Sequence, residues 1–373
     1  MTHPDFPRAA AYVTDDDVRS LLMDLVDISS PTGKEIGVAQ YLVSRMRKSG
    51  MDTDLQFVDA DRPNAVGHRR GRGDGFNLLF TGHMDTSYSG QEEHLVGEGF
   101  QPKALFRDGW VWGLGANNMK SGLAAALIAI EAIAKAGVDL AGDISFGGVV
   151  GEIEKTAIEE FQGVEYSGYG IGTRHLVTHG VTADFALLAE PTGMRIATAN
   201  MGVIWMRITL GGTVAHSALA NRPGVINAIA LMHELQSDIA QWARNYESAH
   251  EYNGEHPNVT VAAIRGGAPW RLSRNPYDCS LYLDVRTVPG QTVDDVKRDL
   301  RAVLRAFGGR KGIAEPTLHL YVTDPPVVLD PKLPIIQALG EAQQAVTGDR
   351  PATIIRRPGA DAAGASPGYC DMF

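Results

Sequence analysis

Apolar positions recur at helical spacing in Val18, Leu21, Leu22, Leu25 and Val26, directly behind Asp15-Asp16-Asp17. A carboxylate cluster there meets the unsatisfied N–H groups of a helix start, so the pattern predicts a helix from about residue 16. Ser29-Ser30-Pro31-Thr32-Gly33 breaks it, and a second helix is expected over 34–48. Short apolar runs at 77–81, 143–150 and 185–189 predict buried strands. Between the first two lie a brief strand at 110–113 and a small-residue helix over 119–136. Strands alternating with helices predict an α/β domain with a mostly parallel sheet.

The texture changes near Ile196. Residues 204–210 and 279–285 alternate polar with apolar, as one-faced antiparallel strands do. Helices over 223–246 and 293–306 and a strand at 259–264 complete a β–α–β–β–α order. That order predicts a separate α+β domain at 196–311, inserted into a first domain made of 1–195 and 312–373.

The length of 373 residues agrees with about two domains at roughly 100–200 residues each. The formal charge of −10 argues against a broad nucleic-acid surface, which needs a basic patch. Cys279 and Cys370 are too few for a disulfide framework or a thiolate zinc site. No apolar run reaches the roughly 18 residues of a membrane span, and the first residues lack a charged-then-apolar signal, so a cytoplasmic protein is expected.

Three polar groups stand where predicted strands end. Gly82-His83-Met84-Asp85-Thr86 follows the first buried strand, Gly151-Glu152-Ile153-Glu154 the second, and Glu190-Pro191-Thr192-Gly193 the third. Open α/β sheets bind ligands at strand ends. A His with nearby carboxylates makes an N/O metal site, in which one Glu ligates and another moves a proton. Taken singly, each is equally readable as a loop residue. Gly113-Leu114-Gly115-Ala116-Asn117-Asn118-Met119-Lys120-Ser121-Gly122 joins a strand to a helix, but its spacing is not that of a phosphate-binding loop.

Together with Ala215-His216-Ser217, Asn227-Ala228-Ile229 and Asp284-Val285-Arg286, these pieces resemble the metallohydrolase family of aminoacylase, acetylornithine deacetylase, succinyl-diaminopimelate desuccinylase and carboxypeptidase G. The resemblance covers residues 17 to about 362. It implies a zinc-exopeptidase-like α/β catalytic domain with an inserted α+β lid, and a homodimer or higher homo-oligomer formed through that lid. Carried over, His83 and Glu190 would ligate a metal, Asp85 would be the outer partner of His83, and Glu152 the general base. His216 would stabilise a developing oxyanion, and Arg274 and Asn275 would hold a substrate carboxylate, a task suited to an Arg fork. Trp270, with Arg271 and Arg274, offers an aromatic surface beside two cations.

The departures matter as much. Asn118 stands where the family carries a metal-bridging Asp, and Ile153 where it carries a second ligand Glu. No His follows His319 to match the family's late ligand, and the stretch from residue 358, with Gly359-Ala360-Asp361-Ala362, is Gly-, Ala- and Pro-rich where the family adds a last strand and helix. The expectation is therefore a shortened or rebuilt edge and one divalent ion, held by His83 and Glu190 with Asn118 as a neutral oxygen ligand. Mn, Zn and Co all suit such a site.

The implied reaction is hydrolysis of a C–N bond in a small anionic substrate. The altered site also resembles the branch containing 5-nitroanthranilic acid aminohydrolase, which makes an aromatic aminohydrolase the specific expectation. The alternatives are an N-acyl amino acid deacylase or carboxypeptidase-like amidohydrolase, and a non-catalytic binding protein that kept the fold.

Overall fold

The computed structural model describes residues 3–357 and the backbone of 369–372. The expectations placed on Gly359-Ala360-Asp361-Ala362 lie outside the described residues. Two compact units emerge: Met1–Thr198 with Leu329–Phe373, and Ala199–Val328. Among the described residues no helix is long and apolar enough to cross a membrane.

The first unit opens with α1 (Phe6–Ala10), α2 (Asp15–Asp27) and α3 (Ile36–Lys48), followed by the strands β1 (Asp52–Asp59), β2 (Arg62–Arg69) and β3 (Leu78–His83). A two-stranded ribbon of β4 (Leu105–Arg107) and β5 (Trp110–Trp112) precedes α4 (Ser121–Lys135). Then come β6 (Ile144–Val149), α5 (Ile171–Thr178), β7 (Phe185–Leu188) and β8 (Ile196–Asn200). The Thr14 hydroxyl accepts the Asp17 N–H and caps α2, and Asp15, Asp16 and Asp17 fill its first turn.

The second unit contains β9 (Gly202–Gly211), α6 (Ala228–Ala249), β10 (Asn258–Gly266), β11 (Asp278–Thr287), α7 (Val293–Lys311), β12 (Thr317–Asp324) and β13 (Val327–Val328). It is built on a four-stranded antiparallel sheet in the order β10-β11-β9-β12. Ile204, Met206, Ile208 and Leu210 of β9 are buried with Leu281, Leu283 and Val285 of β11 against α6 and α7. Helix α6 starts later than expected because the Asn227 side chain caps it, accepting the Ile229 and Ala230 N–H groups. Helix α7 starts on the Thr292–Asp295 capping box. β12 completes this sheet against β9, so the second unit runs to Val328, whereas a boundary at 311 would separate β12 from the sheet it pairs with.

The chain returns to the first unit with α8 (Pro334–Thr347), β14 (Thr353–Arg356) and β15 (Tyr369–Met372). The large sheet runs β1-β2-β6-β3-β7-β15-β8-β13, with β14 paired to β8. At its centre β6, β3, β7 and β15 are mutually parallel. The flanks are antiparallel, because β1 and β2 form a hairpin and β8 reverses against β15. The sheet is thus mixed around a parallel centre. Leu78 and Phe80 pack with α8, and Phe80 also with the α2–α3–α4 cluster, while Leu79 faces Leu176 of α5. Both faces of β3 are therefore covered, which is why its sequence reads as a continuous apolar run.

Candidate metal centre

β3 lies between β6 and β7, so the chain leaves β3 for one neighbour and later returns to the other. The strand order reverses about β3, and open α/β sheets bind ligands beyond the carboxyl ends of the strands at such a point. His83 is the last residue of β3, Glu152 follows β6 and Glu190 follows β7. Their ligand atoms lie within 4.8 Å of one another, and all three residues are buried. His83 Nε2 stands 3.2 Å from Glu190 Oε1, 3.7 Å from Glu152 Oε2 and 3.1 Å from Asn118 Oδ1.

Glycines permit this crowding. A Cβ on Gly122 in α4 would stand 2.0 Å from the Ala189 carbonyl, immediately before Glu190. One on Gly82 would stand 2.2 Å from Met119 Cε, beside Asn118.

Asp85 meets His83 through its backbone rather than its carboxylate. His83 Nδ1 donates to the Asp85 backbone carbonyl at 2.8 Å, while the nearer carboxylate oxygen is 3.6 Å away. The carboxylate instead accepts the Glu152 and Ile153 N–H groups at 3.0 and 3.2 Å and the Thr32 hydroxyl at 2.9 Å. It holds the turn that carries Glu152. Ile153 contributes its N–H to this clamp and no ligand atom.

Two further residues were not found by sequence reasoning. Arg356 on β14 donates to Glu190 Oε2 at 2.9 Å, leaving Oε1 toward His83. Burial pushes the Glu190 carboxyl up, but His83 and Arg356 outweigh it and leave it below its ordinary range. Lys120 is 1% exposed, and its Nζ donates to the Leu25 and Ile28 carbonyls at 2.8 Å each, tying the end of α2 to the turn bearing Asn118. Burial lowers Lys120 to about 7. A charged side chain one residue after an apolar pair, as in Ile354-Ile355-Arg356, is the faint sequence signal for Arg356.

The remaining expected residues lie in the second unit, just beyond the paired ends of β9 and β11. His216 and Arg274 form an isolated antiparallel bridge. His216 is exposed, and its Nδ1 accepts the Ala218 N–H. The Arg274 guanidinium lies 4.7 Å from the Tyr277 ring centre, and Trp270 is 79% exposed. Asn275 is buried; its amide N–H groups donate to the Thr213 and Ile226 carbonyls at 2.8 Å each, within the second unit, while its Oδ1 meets no donor among the described residues.

Residues 79–368 match the profile of Peptidase family M20/M25/M40. The chain belongs to this family. Among its relatives, N-formyl-4-amino-5-aminomethyl-2-methylpyrimidine deformylase of Bacillus subtilis is 26% identical over 72% of this chain and 62% of its own length. Succinyl-diaminopimelate desuccinylase of Psychromonas ingrahamii is 31% identical over 55% of this chain and 52% of its own. Acetylornithine deacetylase of Photorhabdus laumondii is 29% identical over 76% and 69%. The chain thus spans less than two thirds of the first two relatives. Among solved structures, a tripeptidase from Staphylococcus aureus superposes with a TM-score of 0.76 at 17% identity, covering 97% of this chain and 90% of that one. An M20 family metallo-carboxypeptidase from Sulfolobus solfataricus gives 0.70 at 17% identity, covering 96% and 91%. These structures share the α/β fold with its lid domain.

M20 enzymes use divalent metal ions, and the His83 cluster fits one. Both ring nitrogens of His83 face oxygen acceptors, the Asp85 carbonyl on one side and Asn118, Glu152 and Glu190 on the other. A neutral imidazole carries only one N–H, so its second nitrogen needs a cation on its lone pair. Burial alone would depress His83, but Glu152, Glu190 and Asp85 outweigh it and hold the imidazole well above its ordinary value. A pocket that favours the charged imidazole favours positive charge, and its N/O donors suit a divalent ion.

Proposed function

We propose that this M20 chain belongs to a metal-dependent amidohydrolase that removes a small acyl group from the nitrogen of an anionic substrate. The convergence of His83, Glu152 and Glu190 at three parallel strand ends carries the reading. The relatives named above as deformylase, desuccinylase and deacetylase support acyl–nitrogen cleavage over the aromatic aminohydrolase expectation.

His83 and Glu190 would hold one divalent ion, with Asn118 adding a neutral oxygen. When bound, such an ion polarises a carbonyl and lowers the pKa of water toward roughly 7. Glu152, fixed through its own N–H by Asp85, takes a proton from the attacking water. The water oxygen bonds to the acyl carbon, the C–N bond breaks, and Glu152 returns the proton to the departing amine. Arg356 keeps Glu190 turned with one oxygen toward His83. His216 and Arg274 remain proposed for the oxyanion and the substrate carboxylate. In the second unit β10 is an edge strand with Val261 and Ile264 exposed, which supports a homo-oligomer through this sheet.

The test is product analysis with N-formyl, N-acetyl and N-succinyl amines in the presence of divalent metal. Release of the free amine and the carboxylic acid is expected. Inertness toward all three, with ammonia and a phenol released from an electron-poor aminobenzoate, would overturn the acyl reading in favour of the aromatic one.

A further inference from the structure

A half-open cavity rimmed by charged side chains lies elsewhere in the first unit. It measures about 600 Å³ and is formed by α3, α4 and the end of β2. Its lining includes Ser44, Arg45, Lys48, Arg69, Glu131 and Lys135. The volume falls in the range of small-molecule sites.

The charges in it are unbalanced. Glu131 is fully engaged by Arg45, through bonds of 2.7 and 3.0 Å, and by the Ser49 hydroxyl. Lys48, Lys135 and Arg69 have no carboxylate partner among the described residues. Three unpaired cations around one cavity stand out in a chain of net charge −10. Lys48 and Lys135 close the last turns of α3 and α4, where a cation complements the helix dipole. Arg69 has no such explanation. It ends a strand and lines the cavity with no hydrogen-bond or ion-pair partner for its guanidinium among the described residues. A guanidinium left without an acceptor beside a cavity is a ready donor set for an oxyanion.

We infer that this cavity is an anion site, separate from the metal centre, that takes a small phosphate-bearing ligand. The two Nη groups of Arg69 would engage phosphate oxygens, with the Lys48 and Lys135 ammonium groups and the Ser44 hydroxyl around the rest.

Calorimetric titration of the full chain with inorganic phosphate, at about 0.15 M ionic strength, tests this. Saturable binding is expected, weakened about tenfold or more in Arg69→Gln and again in the Lys48→Gln/Lys135→Gln pair. The lysine pair is solvent-exposed, so it supplies the answer should Arg69→Gln fail to fold. His83→Ala should leave phosphate binding in place. Absence of saturable binding, equal binding by the variants, loss in His83→Ala alone, or citrate binding as tightly as phosphate would each overturn the proposal.

Discussion

In the first unit the polar chemistry is buried at the carboxyl ends of parallel strands; in the second it lies on turns beyond an antiparallel pair, with His216 and Trp270 exposed. The difference follows from the sheets. A parallel centre covered on both faces leaves only strand ends for polar groups, so His83, Glu152 and Glu190 must meet there and satisfy one another. A one-faced antiparallel sheet has a wet side, and its polar residues owe each other little. Substitutions in the first unit should therefore disturb charge and chemistry, and those in the second should separate into residues that meet substrate and residues that hold the fold.

The sharpest break is Glu152→Gln. It keeps the backbone N–H that Asp85 accepts but removes the proton carrier, so turnover of an N-acyl substrate should fall by about 10²–10⁴. Retained metal content would show that the ligand set survived. Next is His216→Ala, expected to cost about 10²–10³ in kcat with no change in metal content. An unchanged kcat would remove His216 from the account and leave the chemistry to the first unit alone.

Lys120 tests the burial argument through pH. Its folded pKa of about 7 lies below the roughly 10.4 of an exposed lysine, so between these values the unfolded chain binds more protons. Stability should rise from about pH 7 to about pH 10, and urea denaturation of Lys120→Met should lack that rise. The smallest effect is expected at Asn275. Asn275→Ala strands two backbone carbonyls and should lower stability by about 1–3 kcal/mol while leaving KM nearly unchanged. A large KM effect would mark it as a substrate contact.

Much of this was legible in the sequence. Periodicity located α2, α3, β3, α4, β6, β7 and both helices of the second unit, because each has one strongly apolar face or run. The hairpin β1–β2 was missed, since β1 alternates exposed with half-buried positions and β2 is buried despite carrying Arg62 and Asn64. Arg62 hides there because Glu35 pairs with it at 2.6 Å, a partner 27 positions away that no local pattern reveals. Likewise His83, Glu152 and Glu190 were readable from their places at strand ends. Arg356 and Lys120 were not, because their partners, Glu190 and the carbonyls ending α2, are set by tertiary structure alone.

The central claim is that the buried cluster in the first unit holds a divalent cation through His83. Elemental analysis of the purified chain and of His83→Ala, each equilibrated with Mn, Zn or Co, measures this directly. The account predicts about one ion per chain in the wild type and a loss of that ion in the variant, with the fold retained by circular dichroism. Metal content that is indifferent to His83, or no ion bound by the wild type under any of these conditions, would contradict it.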